Sequence, residues 1–217
     1  MLTIAVLNQK GGVGKSTLST NLAAAAHLGG KRTIILDLDR QGSSFDWFSA
    51  RGEGSKLDGL TVARADKALS LPKFRDLSRG YDVVICDGPP RLSEITQAAA
   101  VAADVILIPI RPGAFDWWAS SETLDLLDRA DEIRQELNRP KARRVFVVNG
   151  GVASAHGTKL AVEAVAGVAE VSPVVIHNRV AFWEAASSGE SVLTRAPESA
   201  AADEIRELFK SLSEASA

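Results

Sequence analysis

Residues 8 to 17 read Asn-Gln-Lys-Gly-Gly-Val-Gly-Lys-Ser-Thr. Glycines at 11, 12 and 14 let the backbone turn tightly and bring its N–H groups onto a phosphate with no Cβ in the way. Gly14-Lys15-Ser16 meets the second half of the phosphate-loop pattern G-x-x-x-x-G-K-[ST], while the position of its first glycine holds Gln9. In that pattern Lys15 reaches the β- and γ-phosphates and the Ser16 hydroxyl ligates Mg²⁺. The segment Lys10, Gly11, Gly12, Val13, Gly14, Lys15, Ser16, Thr17 is thus a candidate nucleotide-binding stretch, with a second lysine, Lys10, that the pattern does not require. Three carboxylates follow. Asp37 and Asp39 alternate with Leu36 and Leu38, so they share one side if the strand continues. Asp87 closes the run Val-Val-Ile-Cys-Asp and is followed by Gly-Pro-Pro. An aspartate at the end of an apolar strand downstream of a phosphate loop holds Mg²⁺ opposite the loop hydroxyl. The chemistry indicated is Mg²⁺-dependent use of a nucleoside triphosphate.

Such groups need a scaffold that delivers them to one place. Thr3–Leu7 is a short apolar run ahead of the glycines, and Leu18, Leu22, Ala25 and Ala26 recur at helix spacing after them. The helix N-terminus then adds its dipole to the anion site. Further strands are expected over Thr33–Leu38, Leu60–Arg64, Asp82–Asp87, Asp104–Ile110, Arg144–Asn149 and Pro173–His177. Most show little polar alternation, as in strands buried on both faces. Helices are expected over Leu92–Ala102, Trp117–Glu136, Thr158–Val168 and Glu198–Leu212, and Ala50–Gly59 reads as a surface loop. This alternation predicts an α/β fold, a doubly wound and mostly parallel sheet flanked by helices, forming one P-loop domain over 1–217. Ligands bind such sheets at the carboxyl ends of the strands.

The chain has 217 residues, 46% hydrophobic and 24% charged, with a net charge of −2. This is ordinary globular composition, and any nucleic-acid contact must come from a local basic face. The single cysteine, Cys86, sits in an apolar run and has no internal disulfide partner, which suits the cytoplasm. Met1 leads directly into the first strand without a signal-peptide pattern, and no apolar stretch approaches the ~20 residues that span a bilayer. His27, His156 and His177 lack metal-ligand spacing with one another or with Cys86, so no zinc site is expected.

On Asn8–Thr17, Asp37–Gly42, Tyr81–Pro90, Pro109–Trp118 and Ile176–Val192 the chain resembles the ParA/MinD family of deviant Walker A ATPases. It is most similar to the small ParA-type partition ATPases without an N-terminal DNA-binding extension. The resemblance implies ATP, ADP and Mg²⁺ as ligands and a nucleotide-sandwich homodimer, in which Lys10 crosses to the partner subunit's phosphates. That is a cation supplied in trans to charge on the phosphoryl oxygens. It also implies that Asp39 positions the attacking water, that Asp37 lies in the outer Mg²⁺ shell, that Asp87 is the Walker B carboxylate and that Thr17 bonds the α-phosphate. Pro109, Pro112 and Asp116 match a family stretch along the adenine side and the dimer face. Asn149, at the end of a later strand, is expected at the adenine edge. Trp117 and Trp118 cannot both face the core of one helix, so one of them is a candidate interface or nucleotide contact.

Family members of this size imply further partners: non-specific DNA when ATP-bound, an adaptor protein that stimulates hydrolysis, and a cytoplasmic, nucleoid-associated location. For DNA the candidate phosphate contacts are Arg139, Lys141, Arg143, Arg144, Lys159 and Arg179. The expected role is positioning or segregation of a plasmid, a chromosome region or a large cellular cargo. Two alternatives share the fold. A MinD-like membrane positioner would need a basic amphipathic C-terminal helix, whereas Asp203, Glu204, Glu207 and Glu214 make that segment acidic, and no membrane contact is expected. A metabolic enzyme resembling dethiobiotin synthetase would need a small-acid substrate and no macromolecular partner.

Overall fold

The computed structural model describes residues 1–65, 67, 69–91, 93–112, 114–151 and 170–214, with the backbone course alone for 114–121. The apolar runs form the strands β1 (Leu2–Val6), β2 (Thr33–Asp37), β3 (Thr61–Arg64), β4 (Val83–Asp87), β5 (Val105–Ile110) and β6 (Arg143–Gly151). Two short strands follow, β7 (Glu170–Val171) and β8 (Ile176–His177). The order across the sheet is β3-β2-β4-β1-β5-β6-β7, β8 pairs with the end of β6, and every pairing is parallel. The fold is the P-loop type expected from the sequence.

Side-chain alternation along each strand divides the core in two. Ile4, Val6, Ile35, Ile85 and Leu107 face one layer, and Ala5, Leu7, Leu36, Val84 and Ile106 face the other. Both layers are apolar because helices cover both faces. The first is covered by α1 (Lys15–Leu28), α6 (Val180–Ala186), α7 (Val192–Arg195) and α8 (Ala200–Glu214), through Leu18, Leu22, Phe182, Val192, Ile205 and Leu208. The second is covered by α3 (Leu71–Leu77), α4 (Glu94–Ala102) and α5 (Ala114–Glu136), through Phe74, Ala99 and Leu127. The remaining helix, α2 (Ser43–Ser49), follows the Asp39 turn.

The strand expected over Pro173–His177 shrinks to Ile176–His177. Pro173 has no N–H for a ladder, and Val174 N–H turns back to Ser172 Oγ at 3.1 Å. Ala50–Gly59 has no regular structure, but Leu57 within it is fully buried. The helix expected over Thr158–Val168 lies outside the described residues. The C-terminal helix α8 buries Ala201, Ala202, Ile205, Leu208 and Leu212 against the domain, so its apolar face is already occupied. No helix among the described residues is long and apolar enough to cross a membrane.

Candidate nucleotide site

β1 lies between β4 and β5, and the chain leaves it directly into the glycine loop. This is the point where the strand order reverses, where open α/β sheets form their ligand crevice. Gly14 caps α1 with φ 89°, a left-handed conformation that glycine adopts without strain. Space also demands glycine there: a Cβ on Gly14 would lie 2.0 Å from Asn149 Nδ2. That amide donates to Val13 O at 2.6 Å, so the end of β6 braces the loop from outside. Asn8 pins the start of the loop. Its buried side chain donates to Pro109 O at 2.8 Å and accepts from Lys10 N–H at 2.9 Å. Gln9 N–H donates to Thr123 Oγ1 at 3.4 Å. Lys15 is buried, with Nζ donating to Lys10 O at 2.9 Å across the loop. Burial lowers its pKa, opposed by the charges of Asp87 and Asp39.

The sheet register sets the carboxylates. Val6, Asp87 and Asp37 lie side by side at the ends of β1, β4 and β2. Asp87 is fully buried and accepts from Ser44 Oγ at 2.6 Å and Ser19 Oγ at 3.1 Å. Burial pushes its carboxyl up to about 6, against the hydroxyls of Ser44, Ser16 and Ser19 and with the help of the Asp37 charge. Burial also raises Asp37, whose oxygens accept from the N–H groups of Phe45 (2.9 Å) and Asp39 (3.1 Å). Asp39 stands further out on the cleft, accepting from Gln41 N–H at 3.0 Å.

These donors fit Mg²⁺. It is a hard cation that takes one or two carboxylates together with substrate phosphates and water, and a buried carboxylate pair disfavoured by desolvation gains from a cation beside it. Ser16, Asp87 and Asp37 would hold it. Among the described residues no group of three or more His, Cys, Asp or Glu could hold a metal ion, so phosphate oxygens and water would complete the shell. The cleft encloses about 520 Å³, within the usual range for ligand sites. It runs from Gly11–Thr17 past Asp39 and Arg111 to Asn149, Arg179 and Trp183.

The structure brings Lys10–Thr17, Asp37, Asp39, Asp87 and Asn149 together at one end of the sheet. It gives Asn149 a bracing contact to Val13 that strand position alone does not predict. The Pro109 carbonyl anchors Asn8, and Pro112 is half-buried and is not among the residues lining the cleft. The side chains of Asp116, Trp117 and Trp118, and the whole of Lys159 and His156, lie outside what is described.

Arg139, Arg143 and Arg144 lie before and at the start of β6, at the opposite end of the strands from the cleft. These three candidate DNA contacts are each bonded to another element of the fold. Arg139 caps the end of α4 through Val101 O (2.8 Å) and Ala102 O (3.3 Å). Arg143 pairs with Glu170 and donates to Ser211 O at 3.0 Å, and Arg144 pairs with Asp128 and Asp131. Lys141 between them is exposed. Arg179 is on the cleft wall, bonded to Glu204 Oε1 at 2.7 Å, and the same carboxylate holds His177 Nδ1 at 2.8 Å. The residues that sequence reasoning missed are Asn8, Ser19, Ser44, Arg111, His177 and Trp183. Asn8, Arg111, His177 and Trp183 lie in the segments that carry the resemblance but had no site role assigned to them, and Ser19 and Ser44 lie outside those segments.

A phosphate loop closing on a helix at the switch point, with two strand-end carboxylates in register beside it, defines a P-loop nucleotide-binding protein. The chain belongs to the CobQ/CobB/MinD/ParA nucleotide-binding domain family, whose model matches residues 4–192, and within it to the ParA-type ATPases. It is similar to the chromosome-partitioning ATPase Soj of Thermus thermophilus, 32% identical over 94% of this chain and 92% of the relative. It is also similar to the maintenance of carboxysome distribution protein A of Halothiobacillus neapolitanus, 32% identical over 68% of this chain and 65% of that protein. Among solved structures, apo McdA of Cyanothece superposes with a TM-score of 0.77 at 18% identity, covering 98% of this chain and 99% of that one. That likeness speaks for the fold.

Proposed function

We propose that this protein is a positioning ATPase whose ATP-bound form is a face-to-face homodimer. The observation that carries the reading is Lys10 within a braced phosphate loop, in a chain similar to a chromosome-partitioning ATPase over nearly its whole length. The whole chain acts as one ATPase domain. ATP and Mg²⁺ occupy the cleft, with phosphates on Lys10–Thr17, and Lys10 of each subunit reaches the other's phosphates. Water positioned by Asp39 attacks the γ-phosphorus. The bond to the β–γ bridging oxygen breaks, and ADP and inorganic phosphate leave. Positioning and electrostatics supply most of the catalysis in such a site, so no strong base is required.

The dimer binds duplex DNA through phosphate contacts, an adaptor protein on the cargo stimulates hydrolysis, and the subunits separate and leave the DNA. The cargo is a plasmid, a chromosome region or a protein assembly. Arg139, Arg143, Arg144 and Arg179 have internal partners, so of the six candidates Lys141 and Lys159 carry the phosphate contacts of each subunit, and pairing of two subunits doubles them. ATP-dependent binding to random duplex DNA, measured at two salt concentrations with subunit mass followed in parallel, tests the reading. Binding should require ATP, coincide with the dimer and weaken as salt rises. A chain that stays monomeric in ATP–Mg²⁺ would contradict the dimer, and one that dimerises without retaining DNA at low salt would contradict the DNA arm.

A further inference from the structure

The short helix α2 starts on the carboxylates of the site and ends on the turn that closes α6. At its first turn Ser44 Oγ donates to Asp87 Oδ2 at 2.6 Å, and Phe45 N–H donates to Asp37 Oδ2 at 2.9 Å. At and just beyond its other end, Trp47 Nε1 donates to Glu190 O at 2.9 Å and Arg51 Nε donates to Gly189 O at 3.2 Å. The Arg51 guanidinium lies over the rings of Trp47 and Phe48, 4.7 and 5.1 Å from their centroids, and Nη1 donates to Leu57 O at 2.8 Å.

This junction has no slack. Gly189 has φ +69°, and a Cβ on it would stand 2.5 Å from Arg51 N and 2.7 Å from Trp47 O. The same turn is gripped from the phosphate side. Asn21 Oδ1 accepts from Ser191 Oγ (2.7 Å) and Val192 N–H (3.1 Å), while its Nδ2 donates to Thr17 O at 2.8 Å. Both helices that begin at the phosphate site therefore hold residues 189–192. The turn follows α6, whose Phe182, Trp183 and Ala186 form a wall of the cleft.

We propose that Trp47 and Arg51 are positioning residues that relay the state of Asp37 and Asp87 through α2 to the 187–190 turn, and so set the α6 wall of the cleft. The proposal rests on the ATPase reading. Mg²⁺ held beside Asp87 would compete with the Ser44 hydroxyl for the carboxylate oxygens, which would move the first turn of α2. Close-packed elements pass such a shift on as a switch between arrangements and do not absorb it gradually.

Hydrogen exchange read by mass spectrometry tests the relay. Wild type, Trp47→Phe and Arg51→Lys are compared with and without a non-hydrolysable ATP analogue and Mg²⁺. Trp47→Phe keeps an aromatic ring and removes the Glu190 bond. Arg51→Lys keeps the charge but cannot reach both Gly189 and Leu57, and it serves if the first variant misfolds. In wild type the analogue should slow exchange at 187–190 by about fivefold or more, the lower range of a coupling between sites. Both variants should lose that slowing while residues 11–17 keep theirs. Variants whose exchange at 187–190 rises equally with and without the analogue, or still slows as in wild type, would overturn the relay. Wild-type protection at 11–17 with none at 187–190 overturns the relay alone. No protection at 11–17 overturns the ATPase reading and the relay with it.

Discussion

Replacing Gly14 with alanine probes how the loop is held. Its φ of 89° costs a non-glycine residue roughly 1–2 kcal/mol. The added Cβ would also fall 2.0 Å from Asn149 Nδ2, so that amide must leave Val13 O, and a bond of 2.6 Å is lost. Losing one hydrogen bond costs about 1 kcal/mol. Gly14→Ala should therefore destabilise the fold by about 2–3 kcal/mol, and Asn149→Ala by about 1 kcal/mol. The double variant should cost no more than Gly14→Ala alone, because both singles break the same bond. Independent effects would give a sum of about 3–4 kcal/mol, and the missing ~1 kcal/mol is the coupling. In a chain of this size the Gly14→Ala loss lowers Tm by roughly 4–12 °C. Urea unfolding of the four proteins measures the cycle, and titration with labelled ATP should show nucleotide affinity reduced at least about tenfold in Gly14→Ala. Additive stabilities, or full ATP affinity in Gly14→Ala, would show that Asn149 does not brace the loop.

Lys10→Ala should still bind ATP but lose ATP-dependent dimerisation in analytical ultracentrifugation, and wild-type dimer formation would remove Lys10 from its role in trans. Asp39→Ala should accumulate the ATP-bound dimer with phosphate release nearly abolished, whereas undiminished release would end its assignment to the attacking water. Cys86 is fully buried, and burial pushes its thiol up to about 12, so a thiol reagent at pH 8 should modify the native protein only as fast as it unfolds. Burial works against the charge of Glu204, yet its bonds from Arg179 and His177 outweigh this and hold its carboxyl below the ordinary value. A depressed folded pKa contributes stability that is present above the unfolded value of ~4.3 and lost as pH falls through the folded one. Glu204→Gln should thus lower Tm at pH 7 and flatten its fall below pH 4.5. An unchanged acid limb would mean that the His177–Glu204–Arg179 cluster does not contribute.

The central strands were legible because each is a local apolar run buried on both faces, and the loop was legible because Gly, Lys and Ser must follow one another to cradle a phosphate. The arginines show the limit of such reading. Arg139, Arg143 and Arg144 look like a basic patch in sequence, but Val101, Asp128, Asp131 and Glu170 come from other elements, and only packing brings them within bonding distance. The roles of Ser19, Ser44 and Asn8 were silent for a similar reason. Hydroxyl and amide side chains carry no periodic signature, and their roles come from what the fold places opposite them.

The sequence by itself marked the candidate chemistry of this protein: a phosphate loop with Lys10, followed by Asp37 and Asp87 at strand ends and Asp39 just beyond one of them. Order along the chain suffices there, because a strand, a tight turn and a helix start are neighbours in sequence and strand ends are marked locally. Tertiary structure alone decided that Asp37 and Asp87 stand in register on adjacent strands, that Asn149 holds Val13 from across the sheet, and that Trp47 and Arg51 meet Glu190 and Gly189. Those contacts join residues far apart in the chain. Their distances follow from sheet register and helix packing, which are properties of the whole core.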